Sequence, residues 1–244
     1  MKAACSNENN LKCVVGIGAS AGGLQALLPI VSSLIEKGTT AFVVAHHLSP
    51  SKPCTLVELL AKKTLLNVSW AVHNEPLIPD HIYICPPGFD IEVVATSLVL
   101  YPITEAQLNS PSIDRLFRSL AECRQDNAVA AVLSGSGHDG LAGAEAVSAA
   151  GGVVIAQTSA DSIQTGMPNS IIQGGLADLI GNTSQIGEWL NSTDQLSGVI
   201  ADVLDTTSTD AFTEMMHLVQ QATGFDFNCY KEGTLRRQDR KSVV

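Results

Sequence analysis

Short apolar runs that alternate with amphipathic helical stripes are the feature that most restricts how this chain folds. The runs from Cys13 to Ile17 and from Ala41 to Ala45 are largely apolar, as expected of strands buried on both faces. Between them, Leu24, Leu27 and Val31 recur at helical spacing. Strands that alternate with helices predict a doubly wound α/β fold, a mainly parallel sheet with helices on both faces.

The alternation continues along most of the chain. Further strands are predicted at 81–85, 91–100 (as a hairpin), 128–133, 153–156 and in a strand–helix pair at 177–190, with helices near 56–60, 113–120 and 139–150. Pro29 is expected to bend or split the first helix. Ligands of such sheets bind at the carboxyl ends of the strands, where the strand order reverses, so we look for chemistry there.

Composition narrows the class of protein. Hydrophobic residues make up 45% of the 244 residues and charged residues 16%, enough apolar material for a full core. The net charge of -10 argues against a general nucleic-acid-binding surface. The six cysteines form no CxxC pair, and neither a secretory signal pattern nor a membrane-length apolar run is visible. We expect a cytoplasmic protein without a metal site.

The first strand leads into a G-x-S-x-G pentapeptide, residues 18–22, centred on Ser20. Small neighbours let the serine oxygen project from a sharp turn, and the N–H groups of the following helix favour an anion beside it. The slightly longer stretch 16–22 also matches a glycine-rich phosphate loop. A dinucleotide-binding fold would place an acidic residue at the end of the second strand, but His46 and His47 stand there. This favours a serine hydrolase over a nucleotide-binding domain.

A serine hydroxyl needs a base, and His46 or His47 could supply it from the neighbouring strand. Adjacent strand residues point to opposite sides, so at most one of the two faces Ser20. Asp139, after the strand at 128–133, could orient that histidine. It could equally be an ordinary N-cap of the next helix. The order serine, histidine, acid differs from that of the α/β-hydrolases, in which the acid precedes the histidine.

Together these motifs resemble the catalytic domain of CheB-type chemotaxis methylesterases. The matching segments are 15–23, 47–50, 83–88, 111–117, 135–140 and 166–168. The resemblance implies a triad in which Ser20 is the nucleophile, His47 rather than His46 is the base, and Asp139 is the orienting acid. It further implies hydrolysis of glutamyl methyl esters with release of methanol, deamidation of glutamine in some members, and no cofactor.

The chain departs from the family pattern beside the nucleophile. Ala21 stands where many members have a threonine that assists the oxyanion site, and Ser136 stands where many have a methionine. The backbone N–H groups of Ala21, Ser136 and Gly137 are the oxyanion donors that the resemblance suggests. Loss of a side-chain donor motivates an alternative, a catalytically weak or inactive regulatory module.

Four regions are expected along the chain. Residues 1–11 form a flexible tail, 12–190 the catalytic domain and 191–210 a linker, and 211–244 resemble the helical start of a CheR-type methyltransferase, cut short. We expect no receiver domain before residue 13, and therefore no gating of activity by an attached receiver. The expected partners are a methylated chemoreceptor or similar sensory protein and the remainder of a methyltransferase fusion. Neither nucleic acid binding nor membrane insertion is expected.

Overall fold

The computed structural model describes residues 10–48, 54–103 and 111–192. Its strands are β1 Cys13–Ala19, β2 Thr40–His46, β3 Asn67–Trp70, β4 His81–Ile84, β5 Phe89–Val94, β6 Ser97–Pro102, β7 Ala128–Val132, β8 Val153–Gln157 and β9 Leu179–Gly181. Its helices are α1 Gly23–Ser33, α2 Leu56–Ala61, α3 Ile113–Arg124, α4 Leu141–Ala149 and α5 Gly166–Gln173. A sixth, α6, begins at residue 183 and continues to residue 192. Nearly all of the predicted tail and linker, and the whole C-terminal segment, lie outside the described residues.

Seven of these strands form one sheet, in the order β3-β4-β2-β1-β7-β8-β9. Every neighbouring pair in it is parallel, whereas β5 and β6 form a separate antiparallel hairpin. The chain runs outward from β1 through β2 in one direction and through β7 in the other. The strand order therefore reverses at β1 and β7, and the predicted α/β class is confirmed.

The sheet separates two hydrophobic cores. On β7, Val129 and Ala131 point into the core that includes residues of α1, α2 and α6. The intervening Ala128, Ala130 and Val132 point into the core formed with α3, α4, α5 and the hairpin. Strand residues alternate between faces, so a strand covered on both sides must be apolar at every position. This explains why the strands of the sequence are continuous apolar runs.

Two glycines of β1 allow α3 to lie directly against the sheet. A Cβ atom on Gly16 would come within 2.5 Å of Leu120 Cδ1, and one on Gly18 within 2.4 Å of Ile113 Cγ2. Any side chain at these positions would push the helix away. The glycines that suggest a phosphate loop in the sequence therefore serve helix packing, and they bring the start of α3 beside the carboxyl end of β1.

The structure corrects several details of the sequence analysis. The expected split of the first helix is wrong, because α1 continues through Pro29. Pro29 and Gln25, whose carbonyl loses its helical partner, are both exposed, so water can satisfy that carbonyl. The fourth helix begins at Leu141 rather than at residue 139. The short edge strand β3 and the helix α5, with Pro168 in its first turn, were not predicted.

Candidate active site

The carboxyl ends of three adjacent strands bring Ser20, His47 and Asp139 together. Ser20 follows β1, His47 follows β2, and Asp139 lies in the loop after β7. The Ser20 Oγ atom lies 3.1 Å from His47 Nδ1, and His47 Nε2 lies 2.9 Å from Asp139 Oδ2. The three residues predicted from the sequence thus form one continuous line of hydrogen bonds.

The carboxylate fixes which nitrogen of His47 carries the proton. An ionised carboxylate only accepts hydrogen bonds, so His47 Nε2 must donate to Asp139. In the neutral ring, Nδ1 is then an acceptor that faces the Ser20 hydroxyl. The Ser20 hydroxyl therefore donates to a nitrogen that is free to take its proton, which is the arrangement that general-base catalysis requires.

Asp139 is held by the N-terminus of α3. Its Oδ2 accepts from the backbone N–H of Ile113 at 3.0 Å as well as from His47, and its Oδ1 accepts from Asp114 N–H at 3.0 Å. The alternative that Asp139 caps the helix that follows it is wrong, since Gly140 occupies the N-cap of α4. Asp139 instead caps a helix that is distant in sequence, and that helix fixes the orientation of its carboxylate.

These contacts keep Asp139 ionised. Burial acts to raise the pKa of its carboxyl, but the hydrogen bonds from His47 and from the backbone of Ile113 and Asp114 outweigh burial, and the pKa is lowered. The partial positive charge of the α3 N-terminus acts in the same direction. With a side chain only 11% exposed, the carboxylate is a fixed negative charge beside the imidazole.

The first turn of α3 is itself tied to the hairpin. Ser112 caps it, since its hydroxyl accepts from Arg115 N–H. Asp90 Oδ1 accepts from Ser112 N–H at 2.8 Å. The Arg115 guanidinium pairs with Glu92 and Asp90 and lies 3.8 Å over the ring of Tyr101. No pattern in the sequence predicts this support, because hairpin and helix meet only in the folded chain.

In the turn that carries Ser20, the residue with a left-handed backbone conformation is a glycine. Gly22 adopts the left-handed region, with φ of 81°, whereas Ser20 is not among the non-glycine residues with positive φ. The N–H of Ser20 donates to the carbonyl of Ser134 at 3.0 Å, and the N–H of His47 donates to the carbonyl of Ala19 at 3.0 Å. The backbones of Ser20 and His47 are therefore both bonded to neighbouring strand ends.

His46 points away from this line of contacts. Its Nδ1 lies 3.1 Å from the backbone oxygen of His47, and its Nε2 is buried without a hydrogen-bond partner among the described residues. Burial lowers the pKa of His46 to about 4. The hydrogen bond to the backbone of His47 acts to raise this pKa, and the charge of the His47 ring acts to lower it further. His46 is therefore neutral near pH 7, and of the adjacent pair it is His47 that meets Ser20.

The residues predicted to be oxyanion donors are all solvent-exposed. Ala21 is exposed at the turn, and Ser136 and Gly137 are exposed in the loop after β7. The N–H groups of Ser20 and Gly135 already donate to Ser134 and Gln164 carbonyls. Donation to an oxyanion by the backbone N–H groups of Ala21, Ser136 and Gly137 stays a prediction.

Two further features bear on what the chain can bind. Across residues 10–48, 54–103 and 111–192, no group of three or more His, Cys, Asp or Glu side chains is arranged to hold a metal ion. Nor does any helix in that part of the chain have the length and apolar character needed to cross a membrane.

Comparison with known proteins agrees with the fold and the motifs. The family model described as CheB methylesterase matches residues 15–190. A protein-glutamate methylesterase/protein-glutamine glutaminase of Maricaulis maris is 33% identical over 178 residues, which cover 71% of this chain and 44% of the relative. One from Caulobacter vibrioides is 32% identical over 183 residues, covering 73% and 53%. The chain thus spans about half the length of these relatives.

A solved structure gives the same answer. The crystal structure of the Thermotoga maritima CheB methylesterase catalytic domain superimposes with a TM-score of 0.70 at 30% sequence identity. The match covers 74% of this chain and 97% of that domain. With the family model spanning most of the described residues, the chain belongs to the CheB methylesterase family.

Proposed function

We propose that this chain is a protein-glutamate methylesterase that hydrolyses glutamyl 5-methyl esters on a chemoreceptor or similar sensory protein and releases methanol. The observation that carries the proposal is the hydrogen-bonded line from Ser20 through His47 to Asp139. The relatives' names pair methylesterase with glutaminase activity, so hydrolysis of glutamine side chains at the same site belongs to the proposal.

In the first half of the reaction, His47 Nδ1 takes the proton of the Ser20 hydroxyl while Oγ attacks the ester carbonyl carbon. The carbonyl electrons move to oxygen, and the resulting oxyanion accepts hydrogen bonds from the backbone N–H groups of Ala21, Ser136 and Gly137. Asp139 stabilises the imidazolium that forms. Collapse breaks the bond to the methoxy group, which leaves as methanol with the proton from His47.

The second half repeats these steps with water. The glutamyl group is now an ester of Ser20, and the departed methanol leaves room for a water molecule beside His47. His47 Nδ1 takes a proton from that water as its oxygen attacks, and the imidazolium returns the proton to Ser20 Oγ. The products are a free glutamate side chain and the original enzyme, and every proton is accounted for without a cofactor.

The direct test measures methanol released from a methylated receptor fragment. Ser20→Ala removes the nucleophile without enlarging the side chain, so we expect methanol release to fall to background while the thermal melt stays cooperative. Ser32→Ala is the matched control, since its exposed hydroxyl donates only to the carbonyl of Pro29 on the far part of α1. Undiminished release by the Ser20 variant would remove Ser20 from the mechanism.

A weak or inactive regulatory module is the second candidate, and Ala21 favours it. An alanine offers the oxyanion its backbone N–H but no hydroxyl, and one lost side-chain donor costs about 10²–10³ in rate. A serine-directed fluorophosphonate separates the two candidates. Rapid labelling of Ser20 in the folded protein supports an active esterase, whereas a folded protein that resists labelling supports the regulatory module. The cytoplasmic location and the methyltransferase fusion stay predictions.

A further inference from the structure

A buried serine next to the active site uses all of its polar groups. Ser134, directly after Leu133, is fully buried. Its carbonyl accepts the N–H of Ser20 at 3.0 Å, and its own N–H donates to Gln157 Oε1 at 2.8 Å. Its hydroxyl donates to the carbonyl of Ala21 at 2.8 Å, with that of Gln164 farther at 3.3 Å, and accepts the N–H of Gln164 at 2.9 Å.

The network continues into the loop between β8 and α5. Gln157, the last residue of β8, is 1% exposed, and its Nε2 donates to the backbone oxygen and to Oδ2 of Asp161, each at 3.0 Å. The same Oδ2 accepts the N–H of Thr183, at the start of α6, at 2.8 Å. Ser134 and Gln157 therefore join the Ser20 turn to the segment 158–165, and Asp161 joins that segment to α6.

We propose that Ser134 is a positioning residue for the nucleophile, acting through Ala21 and Gln164, with Gln157 and Asp161 as its anchor. The inference rests on the proposed function, because positioning has meaning only if Ser20 reacts. One hydroxyl fixes a carbonyl of the nucleophile turn and an N–H of the facing loop at once. The loop at 158–165 thereby sets the position of the Ser20 turn.

Removal of that hydroxyl takes the partner from the Ala21 carbonyl and from the Gln164 N–H at a partly buried contact. The turn and the loop then move apart to recover hydrogen bonds with water. Ser20 Oγ stands 3.1 Å from His47 Nδ1, a distance at which a small shift breaks the hydrogen bond. A misplacement of about 1 Å costs as much as 10²-fold in rate. We therefore expect Ser134→Ala to slow the reaction of Ser20 by roughly 10- to 100-fold.

Ser119 provides a closely matched control. It is also buried, its hydroxyl accepts the N–H of Val93 at 2.9 Å, and it donates to the carbonyl of Leu116 at 2.7 Å. Ser119→Ala thus removes the same chemical group from the same kind of contact, but at the junction of α3 and the hairpin. Both variants are expected to lower Tm by similar amounts, and only Ser134→Ala is expected to slow Ser20.

The experiment measures fluorophosphonate labelling of the full chain well below the Tm of every variant, with the maximal labelling rate and the half-saturating reagent concentration determined separately. For Ser134→Ala we expect a lower maximal rate, little change in half-saturation, and an unchanged midpoint of its pH dependence, since His47 is intact. A normal maximal rate in a folded Ser134→Ala protein, with only Tm lowered, would overturn the proposal. An equal slowing by Ser119→Ala would also overturn it.

A second variant covers the case in which Ser134→Ala does not fold. Asp161→Ala should fold because Asp161 is exposed, and it removes the Oδ2 that accepts from Gln157 and Thr183, while the backbone oxygen of residue 161 still accepts from Gln157. We expect it to slow labelling by a smaller factor of roughly 3- to 10-fold, and an unchanged rate would then refute the network's role. Labelling of the parent chain distinguishes failure of the proposed function from failure of the positioning role. If the parent itself is not labelled, the proposed function fails, whereas equal labelling of parent and variants refutes only the positioning role.

Discussion

Asp139→Asn gives the sharpest test of how the site is built, because it changes charge and hydrogen bonding without changing shape. The carboxylate accepts from three donors, His47 Nε2–H and the N–H groups of Ile113 and Asp114. An amide has one acceptor oxygen and one NH2 group, so its NH2 must face at least one of these donors. If it faces His47, Nε2 becomes the acceptor and the proton moves to Nδ1, pointing at Ser20.

The structure sets the size of both effects. With the proton on Nδ1, His47 has no acceptor for the Ser20 hydroxyl, and we expect kcat to fall by about 10⁴-fold, as happens to other triads that lose the acid. Hydrogen bonds to a charged group contribute about 1.5–3 kcal/mol each. Asp139 is mostly buried, and the substitution sacrifices one or two of them. We expect a loss of about 2–4 kcal/mol in the free energy of unfolding at pH 7.

This stability difference should depend on pH in a defined direction. The folded-state pKa of Asp139 lies below the ordinary value of 3.8, so ionisation favours the folded state. The contribution is therefore fully present above about pH 5, and it is lost as the pH falls through the folded-state pKa. The difference between wild type and Asp139→Asn should shrink as the pH is lowered below about 4.

Urea denaturation at a series of pH values measures the stability, and methanol release measures kcat. Asp114→Asn is the control, since Asp114 Oδ1 accepts only the N–H of Gly143, a bond that an amide oxygen keeps. The control should retain near-normal activity. An Asp139→Asn protein with more than a tenth of the wild-type kcat, or a stability deficit that is constant from pH 7 to pH 3, would refute the assignment of Asp139 as an ionised orienting acid.

Two further substitutions test the surroundings of the site. His46→Gln keeps a donor toward the carbonyl of His47. Because the folded-state pKa of His46, about 4, lies below the ordinary 6.5, wild type should lose on the order of 3 kcal/mol of stability relative to this variant as the pH falls from 7 to 4. Urea denaturation measures this difference, and a difference that does not change with pH would contradict the prediction. Gly18→Ala places a methyl group 2.4 Å from Ile113 Cγ2 and should cost about 1–3 kcal/mol, whereas an unchanged urea midpoint would show that α3 is free to shift.

The sheet was predictable because burial on both faces leaves a continuous apolar run in the sequence. Such runs located β1, β2, β7 and β8 to within one or two residues at each end. The edge strand β3 was not predicted because it is mostly half-buried and only four residues long. It therefore shows neither alternation of apolar and polar residues nor a long apolar run. The position of Ser20 in a strand-to-helix turn was predictable for a local reason as well, since the pentapeptide that surrounds it is contiguous in sequence.

The role of Asp139 could not be predicted from the neighbouring sequence alone. In the sequence, an aspartate before an alanine-rich helix fits an ordinary N-cap, and spacing alone does not distinguish that role from catalysis. In the structure it does cap a helix, but the helix is α3, which begins 26 residues earlier and reaches Asp139 because Gly18 leaves it room. The same pair of N–H groups caps the helix and aims the carboxylate at His47. Stability and site geometry are thus properties of one contact, and a substitution that displaces the first-turn N–H groups of Ile113 and Asp114 should lower both together.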